Sequence, residues 1–338
     1  PMAFQNHLHR LRPLVANVDP RFYVYFLQCA FTQLGTFEGA ANRTTIPNLS
    51  RNRLAALEVP HPPLGEQTAI ASLLSRVRDA LRLNFQSIRT VQEAKSAALR
   101  ELFTRGVRGE PQKESEIGPI PEGWAVSALG ALCSMQSGGT PPKGIPSLWA
   151  GPVPWVSGKD LKANRLDGVP ARISQAAAER HSKIASADSV LVLVRGMGLA
   201  NGFALSLIAT PMAFNQDIKA LKPSEAISGA FLMHSLTFAG ERMLRNVTNA
   251  AHGTMRLTQD DLDRFLLPVP DLNEQQQIVD VLDTVDRKIN LRKRKKGVLE
   301  EMFSALLNRL MTREICVADF DSAAVSALGA ETPTEAAI

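Results

Sequence analysis

Residues 64–70 read Leu-Gly-Glu-Gln-Thr-Ala-Ile, and residues 272–278 read Leu-Asn-Glu-Gln-Gln-Gln-Ile, 208 positions later. The correspondence continues without a gap as far as Glu93 and its counterpart Glu301. A period of this length is not that of a solenoid, whose units have roughly 20 to 50 residues. The chain therefore carries a duplicated domain with its connector, which predicts two similar units related by an internal pseudo-twofold repeat.

A weaker repeat precedes the first one. Residues 1–4, Pro-Met-Ala-Phe, recur as residues 211–214 at an offset of 210. The second unit begins near the Ile-Pro-Glu-Gly-Trp run at 120–124, so its first-copy equivalent would lie about 90 positions before Pro1. We expect the first unit to be a C-terminal remnant, in which Phe22 to Leu27 match Ala230 to Ser235.

Both copies of the repeat continue into a helix with a heptad seam. Apolar residues recur at alternating steps of four and three, among them Ile70, Leu74, Val77, Leu81 and, in the second copy, Ile278, Leu282, Val285 and Ile289. This spacing predicts a coiled coil. Helices of about 40 residues would each be roughly 60 Å long. Because a globular segment separates them in sequence, an antiparallel pair is the simplest arrangement.

Polar residues interrupt the seam at Asn84 and Lys95 and, in the second copy, at Arg292 and Lys296. Buried polar seam residues often specify register, and we expect that role here. The basic run at 292–296 has two interpretations, a contact with nucleic acid or a solvated helix face, and the residues alone leave both open.

The chain divides into five segments by this reading. They are a domain remnant (1–59), a first long helix with linker (60–117), a complete domain (118–268), a second long helix (269–315) and a disordered tail (316–338). Short β-rich runs within the complete domain lie at 131–136, 153–157, 189–195, 202–208 and 218–221. Helical patterns follow at 227–244 and after the cap Thr258. The predicted fold class is α+β, with mixed α/β domains joined by two long antiparallel coiled-coil helices.

Composition excludes several protein classes. The 338 residues contain 45% hydrophobic and 21% charged residues, which is typical of soluble globular protein. The chain has no apolar run of the roughly 18 to 20 residues that a membrane span needs, and its first residues do not resemble a signal peptide. We therefore expect a cytoplasmic protein that does not bind membranes. Three widely spaced cysteines argue against a zinc site or disulfides, and we expect all three to be buried.

Motifs for catalysis are missing. No Walker loop or Rossmann glycine pattern is present. The run Thr140-Pro141-Pro142-Lys143 lacks the flanking residues with which an amino-methyltransferase holds its target amine. None of the six histidines has a partner at metal-ligand spacing. The expectation is a chain with no catalytic residues, no metal and no cofactor of its own.

The complete domain instead offers polar and basic residues at predicted strand ends and loops. Such side chains can pair with base edges or phosphates of DNA. The candidate DNA-binding residues are Ser137, Thr140, Lys143, Ser157, Lys159, Lys162, Arg195, Asn201, Asn215, Gln216, His252, Thr254 and Arg256. Two such domains at a set distance would read two separated DNA segments, with a spacing determined by helix length.

Several short motifs, in their order and duplication, resemble one family. They are Pro-Glu-Gly-Trp at 121–124, Gly138-Gly139-Thr140-Pro141, Pro154-Trp155-Val156 followed by Asp160-Leu161, Arg195-Gly196, Phe214-Asn215-Gln216, and the Pro-x-Pro-x-Leu-x-Glu-Gln-x-x-Ile passages at 60–70 and 268–278. This pattern resembles the DNA specificity subunit of type I restriction-modification systems. The similarity extends from Pro1 to about Arg313.

The resemblance implies a set of partners. Two target recognition domains would each read half of a bipartite site in double-stranded DNA. Methyltransferase subunits using S-adenosylmethionine would dock on the long helices, and a translocating restriction subunit using ATP and Mg would join the complex. Catalysis would then belong to those partners.

The chain departs from the family pattern where most of the first recognition domain is missing. That departure suggests a hypothesis in which two copies of the chain together read a palindromic site. Two further alternatives remain. The chain could be the DNA-recognition part of a fused restriction-methylation enzyme, or a coiled-coil assembly protein that does not bind DNA.

Overall fold

A computed structural model of the protein describes residues 8–36, 49–245, 247–249 and 255–319. These form two compact units. Unit 1 consists of residues 1–91 and 288–338, and unit 2 consists of residues 92–287. The division between the units passes through both long helices.

The described helices and strands follow in chain order. The helices are α1 Pro20–Thr32, α2 Arg51–Ala55, α3 Leu64–Arg105, α4 Leu129–Leu132, α5 Gln175–His181, α6 Gly229–Phe238, α7 Gly240–Leu244, α8 Gln259–Asp263 and α9 Leu272–Met311. The strands are β1 Gln112–Lys113, β2 Ile120–Pro121, β3 Ala125–Ala128, β4 Cys133–Ser137, β5 Val153–Val156, β6 Arg165–Leu166, β7 Arg172–Ile173, β8 Ile184–Ala185, β9 Val190–Leu193, β10 Leu205–Ile208, β11 Met212–Phe214, β12 Ile218–Pro223, β13 Thr248–Asn249, β14 Met255–Arg256 and β15 Leu266–Val269.

Unit 1 contains α1, α2 and parts of the two long helices. Its core joins Phe22 and Cys29 of α1 to Leu74 of α3 and to Leu307 and Leu310 of α9. The α3 part of this cluster lies at positions 70–74 and the α9 part at positions 307–311, so the start of α3 packs on the end of α9. The predicted antiparallel pairing is confirmed.

Unit 2 shows the same direction of pairing. Lys95 of α3 forms an ion pair with Asp286 of α9 at 2.6 Å, and Val107, just beyond α3, donates its backbone N–H to Glu274 at 3.2 Å. From Lys95 to Val107 the chain advances 12 residues, while their partners go back 12 residues along α9, so the two helices run in opposite directions here too.

The seam is polar in its middle, as its sequence indicates. Asn84 is buried and donates from Nδ2 to the backbone carbonyl of Arg292 at 2.9 Å. These two residues are repeat equivalents, so the hydrogen bond joins the two copies of one position. Because this bond is possible at only one alignment of the helices, it favours that register.

The repeated glutamine makes equivalent hydrogen bonds in both copies of the motif. Gln67 accepts a hydrogen bond from the N–H of the α1 cap residue Asp19, and donates to the carbonyls of Asn17 and Pro62. Gln275 accepts from the N–H of Ser228, the cap of α6, and donates to the carbonyls of Ala226 and Pro270. Both side chains are fully buried. Each glutamine therefore ties a domain helix to the start of a long helix.

This pair of contacts corrects the alignment of the domain helices. Asp19 corresponds to Ser228, an offset of 209, so Phe22 matches Phe231 rather than Ala230. The expected match of Phe22 to Leu27 with Ala230 to Ser235 is wrong by one residue. The repeat contains single-residue length differences that a gap-free comparison does not detect.

Unit 2 is built on two main sheets. One has the order β4-β12-β9-β10-β6 and the other the order β7-β5-β11-β8. Helix α6 packs on the first sheet, and its residues Phe231 and Phe238 surround Phe103 of α3 with ring centroids 5.5 and 5.0 Å away. This contact continues the core of the sheet into the long helix.

Three expectations about local structure need correction or lie outside what is described. The run at 131–136 is not all strand, since α4 ends at Leu132 before β4 begins. Cys316 is exposed, whereas Cys29 and Cys133 are buried as expected. The predicted disordered tail is wrong at its start, because Val317–Asp319 form a short 3-10 helix, and it lies outside the described residues from position 320 onward. None of the described helices is both long and apolar enough to cross a membrane.

Candidate nucleic-acid interface

Strand register brings the predicted loops to one end of the five-stranded sheet. Ser137 at the end of β4 pairs with Lys219 near the start of β12, and Leu193 at the end of β9 pairs with Ile218. Strand β10 begins beside β9 at the same end. We call this edge, where β4 and β9 end and β10 and β12 begin, the loop end of the sheet.

Loops of the second sheet also lie at the loop end. Strands β5 and β11 are parallel and paired at Val156 and Phe214, so both end together. The next residues stay in contact, because the N–H of Asn215 donates to the carbonyl of Val156 at 2.9 Å. Since β11 continues directly into β12, the loop after β5 also lies at the loop end.

Two glycines permit tight packing of the loop after β4. A Cβ at Gly138 would lie 2.1 Å from the carbonyl oxygen of Phe214, and one at Gly139 would lie 2.1 Å from that of His181. Both distances are shorter than van der Waals contact allows. The Gly-Gly pair therefore lets this loop rest directly on two backbone segments.

The packed loop places two predicted residues against each other. The hydroxyl of Thr140 donates to Oε1 of Gln216 at 2.6 Å. The structure thus brings together two candidates that are 76 positions apart in sequence. The bond also orients the Gln216 amide, whose NH₂ group and remaining acceptor capacity suit an adenine edge.

A basic side chain, Lys219, lies at the same loop end of the sheet. Nζ of Lys219 donates to Oγ of Ser137 at 3.0 Å. Burial lowers the pKa of Lys219 most, Asp263 raises it and Arg256 lowers it, with a net decrease. Arg256 is in turn bridged through its backbone to Arg195. Lys219 thus contacts Ser137 directly, its pKa responds to Arg256, and the backbone of Arg256 pairs with that of Arg195.

Sequence reasoning missed Lys219. The available signal was its position between the buried residues Ile218 and Ala220 of a strand, since alternation puts Lys219 on the opposite face. Its relevance depends on proximity to Ser137 and Arg256, which sequence spacing does not report.

Two predicted contact residues make structural hydrogen bonds in the described structure. Ser157 forms a capping box with Asp160 at the start of a short 3-10 helix, with Oγ 2.7 Å from Oδ2. Asn215 is buried and exchanges hydrogen bonds with Asp217, accepting from its N–H at 3.2 Å and donating to its carboxylate at 3.1 Å. Both side chains shape the loops that carry the others.

The remaining candidates divide into exposed residues and residues without a described position. The exposed ones lie on three connections between strands: Lys143 after β4, Lys159 and Lys162 between β5 and β6, and Asn201 between β9 and β10. His252 and Thr254 lie outside the described residues. The assignment of each of these residues to DNA contact stays a prediction.

A charged cluster connects the edge of the sheet to α9. Asp283 accepts hydrogen bonds from His234 at 3.1 Å and from Arg165 of β6. Asp286 accepts from Lys95 at 2.6 Å and from Asn164 at 2.9 Å. Burial raises the pKa of Asp283, but the hydrogen bonds from His234 and Arg165 lower it more, so the net pKa lies below the ordinary value.

The same cluster contains three side chains of metal-ligating type. Potential ligand atoms of His234, Asp283 and Asp286 lie within 4.8 Å of one another. However, each carboxylate already accepts a hydrogen bond from a cation, and a metal ion would have to displace Arg165 or Lys95. The chemistry of this set therefore fits a structural charge network that attaches β6 to the long helices.

The comparison with protein families identifies one model. The type I restriction modification DNA specificity domain matches residues 1–93 and 121–301. The putative type I restriction enzyme MjaX specificity subunit of Methanocaldococcus jannaschii is 26% identical over 313 residues, which are 91% of this chain and 71% of that protein. The EcoR124I/EcoR124II specificity subunit of Escherichia coli is 33% identical over 164 residues, which are 48% of this chain and 41% of that protein.

A solved structure shares the fold. The S subunit of a type I restriction-modification system from M. genitalium has a TM-score of 0.58 at 18% identity, covering 87% of this chain and 73% of that one. At this identity the likeness concerns the fold, including the pair of long helices.

Proposed function

This chain belongs to the type I restriction-modification DNA specificity family and has the role of a DNA sequence-specificity subunit, and we propose that the loop end of unit 2 reads one short DNA segment. The observation that carries the proposal is the convergence of loops from two sheets at that end. They bring Thr140 against Gln216, Arg195 against Arg256, and Lys219 against Ser137. Amide and guanidinium groups together can pair with base edges and phosphates.

In this proposal the chain does no chemistry. The specificity family is generally non-catalytic. We propose that this chain binds no cofactor, that a partner methyltransferase supplies S-adenosylmethionine, and that a partner restriction subunit supplies ATP and Mg. The role of the chain is then to hold DNA in one position relative to those subunits.

We propose that the methyltransferase subunits dock on the outer faces of the helices. The seam residues named above are mostly buried within the helix pair, so they hold the pair together. Two other leucines, Leu83 and Leu291, are repeat equivalents, and both are exposed, by 48% and 58%. Equivalent apolar anchors on both helices suit two copies of one partner.

The test is to co-express the chain with the methyltransferase gene of its own operon and to map methylated adenines by single-molecule sequencing. We expect methylation at one defined motif. The double variant Thr140→Ala/Gln216→Ala should relax the motif at one or more positions, by about 1–3 kcal/mol of discrimination per lost base contact.

A matched control keeps the fold and the net charge unchanged. Gln276→Ala removes an exposed amide on α9 that donates a hydrogen bond to Asp280, and it should leave the motif intact. Random methylation by the wild-type complex, or an unchanged motif in the double variant, would refute the reading by this end. Absence of methylation with a stable complex would favour a purely structural assembly role.

A further inference from the structure

We infer that the middle of the long helix pair in unit 1 contacts the sugar-phosphate backbone of double-stranded DNA, independently of base sequence. The inference rests on the proposed DNA-reading function and adds a second surface to it. This surface, the basic belt, consists of the basic residues at positions 80–91 of α3 and 288–299 of α9 within unit 1, and it does not include the leucines proposed above for the methyltransferase.

The charge of the basic belt is one-sided. Its two stretches contain eight basic residues and no acidic residue, namely Arg82, Arg89, Lys288, Arg292, Lys293, Arg294, Lys295 and Lys296. Acidic residues resume immediately outside, at Asp79 and Glu300, where they pair with Arg82 at 3.3 Å and Lys296 at 3.3 Å. A solvated helix face usually mixes both signs, so a belt without carboxylates is suited to a polyanion.

The fold places these bases in one belt. Asn84 is hydrogen bonded to the carbonyl of Arg292, which aligns the basic run of α9 with the stretch of α3 that lacks acids. Arg292 itself is buried in the seam. Its charge adds to the field around the belt, although its side chain faces the partner helix.

Lys293 and Arg294 provide the outward side chains. They follow the buried residue Arg292 by one and two positions, and each step rotates the side chain by about 100° around the helix. Both are exposed. They therefore point sideways and outward, where a phosphate can reach them.

Lys293 lies on the side of the helix pair on which α1 packs. Lys293 is the repeat equivalent of Phe85, which shares a helix stripe with Arg78, Arg82 and Arg89. The guanidinium of Arg78 lies 4.5 Å from the ring centre of Tyr25 in α1, so this stripe is on the side where α1 packs. An antiparallel pair related by twofold symmetry presents equivalent positions on one face, so Lys293 falls on that side as well.

Gly297 supports a close approach at this face. It follows Lys293 by four positions, on the same stripe, although glycine is disfavoured within a helix. No atom of the described structure lies within 4 Å of a Cβ built there, so packing inside the chain does not require glycine. A missing side chain beside an exposed lysine leaves room for a bulky backbone such as that of DNA.

The experiment measures how affinity depends on salt. The chain is titrated onto a labelled duplex that carries the recognition motif found by methylation mapping, and onto a duplex of scrambled sequence. Affinity is measured between about 50 and 200 mM salt. Lys293→Gln/Arg294→Gln should lower the slope of log affinity against log salt by about 0.9 per lost contact, or about 1.8 in total. The ratio of wild-type to variant affinity should then shrink about twelvefold across this range, equally for both duplexes.

The control is Arg100→Gln/Arg309→Gln, which removes two exposed bases from the same two helices outside the belt. Net charge falls equally in both double variants. An unchanged slope for the Lys293 and Arg294 variant, or an equal decrease in the control, would overturn the inference. If the wild type prefers neither duplex, the proposed function fails as well. If the wild type prefers the motif but the double variant keeps the salt slope of the wild type, only the inference about the basic belt is overturned.

Discussion

Helices α1 and α6 are repeat equivalents that are attached alike and covered differently. Each is joined through its cap residue to a buried glutamine at the start of a long helix. Beyond that contact the two diverge. Met233 of α6 is fully buried in the core of unit 2, whereas its equivalent Val24 is 54% exposed in unit 1. Attachment to the long helix and cover by a sheet are thus specified by separate residues.

The polar contact one residue further along has also diverged. In unit 1, Tyr25 and Ser75 are within hydrogen-bond distance at 3.1 Å. The equivalent pair in unit 2 is His234 and Asp283, and Arg165 joins it from β6. A neutral bond between two helices has its counterpart in a charged group that also holds the edge of a sheet. The duplicated frame therefore accepts different domain attachments without changing its glutamine contact.

The largest expected difference comes from the covered face. Met233→Asp buries an unpaired carboxylate and should destabilise unit 2 by more than about 4 kcal/mol. Val24→Asp, at the equivalent exposed position, should cost less than about 1 kcal/mol in unit 1. Urea unfolding followed by circular dichroism checks both. Equal losses would mean that the outer face of α1 is covered in solution.

The glutamine contact should be equally strong in both units. Gln275→Ala and Gln67→Ala each leave one backbone N–H and two backbone carbonyls without their partner, among them the buried carbonyl of Pro270 or Pro62, at a cost of about 3 kcal/mol. The exposed neighbour Gln276→Ala should change the free energy of unfolding by less than about 0.5 kcal/mol. A clearly smaller loss for Gln67→Ala would show that the two attachments are not equivalent.

The charged contact of Asp283 should contribute more to the free energy of unfolding than the neutral contact of Ser75. Asp283→Ala removes the acceptor of both His234 and Arg165 and should cost about 2 kcal/mol, while Ser75→Ala should cost about 1 kcal/mol or less. Both are measured by denaturant midpoint at neutral pH. Similar values would indicate that solvent screening removes the advantage of the charged group.

The smallest expected effect is a pH dependence of the stability that Asp283 contributes, which Ser75 should not show. The pKa of Asp283 is lowered in the folded state, so its contribution is fully present above its unfolded pKa and is lost as pH falls through the folded pKa. The stability gap between wild type and Asp283→Asn should thus narrow between about pH 5 and about pH 3. The gap for Ser75→Ala should stay constant over that range, and a parallel narrowing there would contradict the assignment to Asp283.

Some of the site was accessible from sequence and some was not. The sequence places Thr140, Gln216, Arg195 and Arg256 at predicted strand ends or loops, and the structure places all four at the loop end. Lys219 was missed because its importance comes from neighbours on two other segments. Ser157 and Asn215 were read as contact residues, but their side chains hydrogen bond to carboxylates two or three residues away. Residue type does not distinguish a loop-shaping polar side chain from an exposed one.

Repetition and periodicity determined the frame of this protein without any coordinates. The 208-residue repeat and the heptad seam specify two long helices, because these patterns depend only on spacing along the chain. The globular segment between the two helices in sequence then favours their antiparallel pairing. Three features were decided only by the tertiary structure: the register of the helix pair, the shift of one residue between α1 and α6, and the charged cluster around Asp283. They depend on which distant side chains meet and which polar groups lose water together, and a linear sequence does not state those distances.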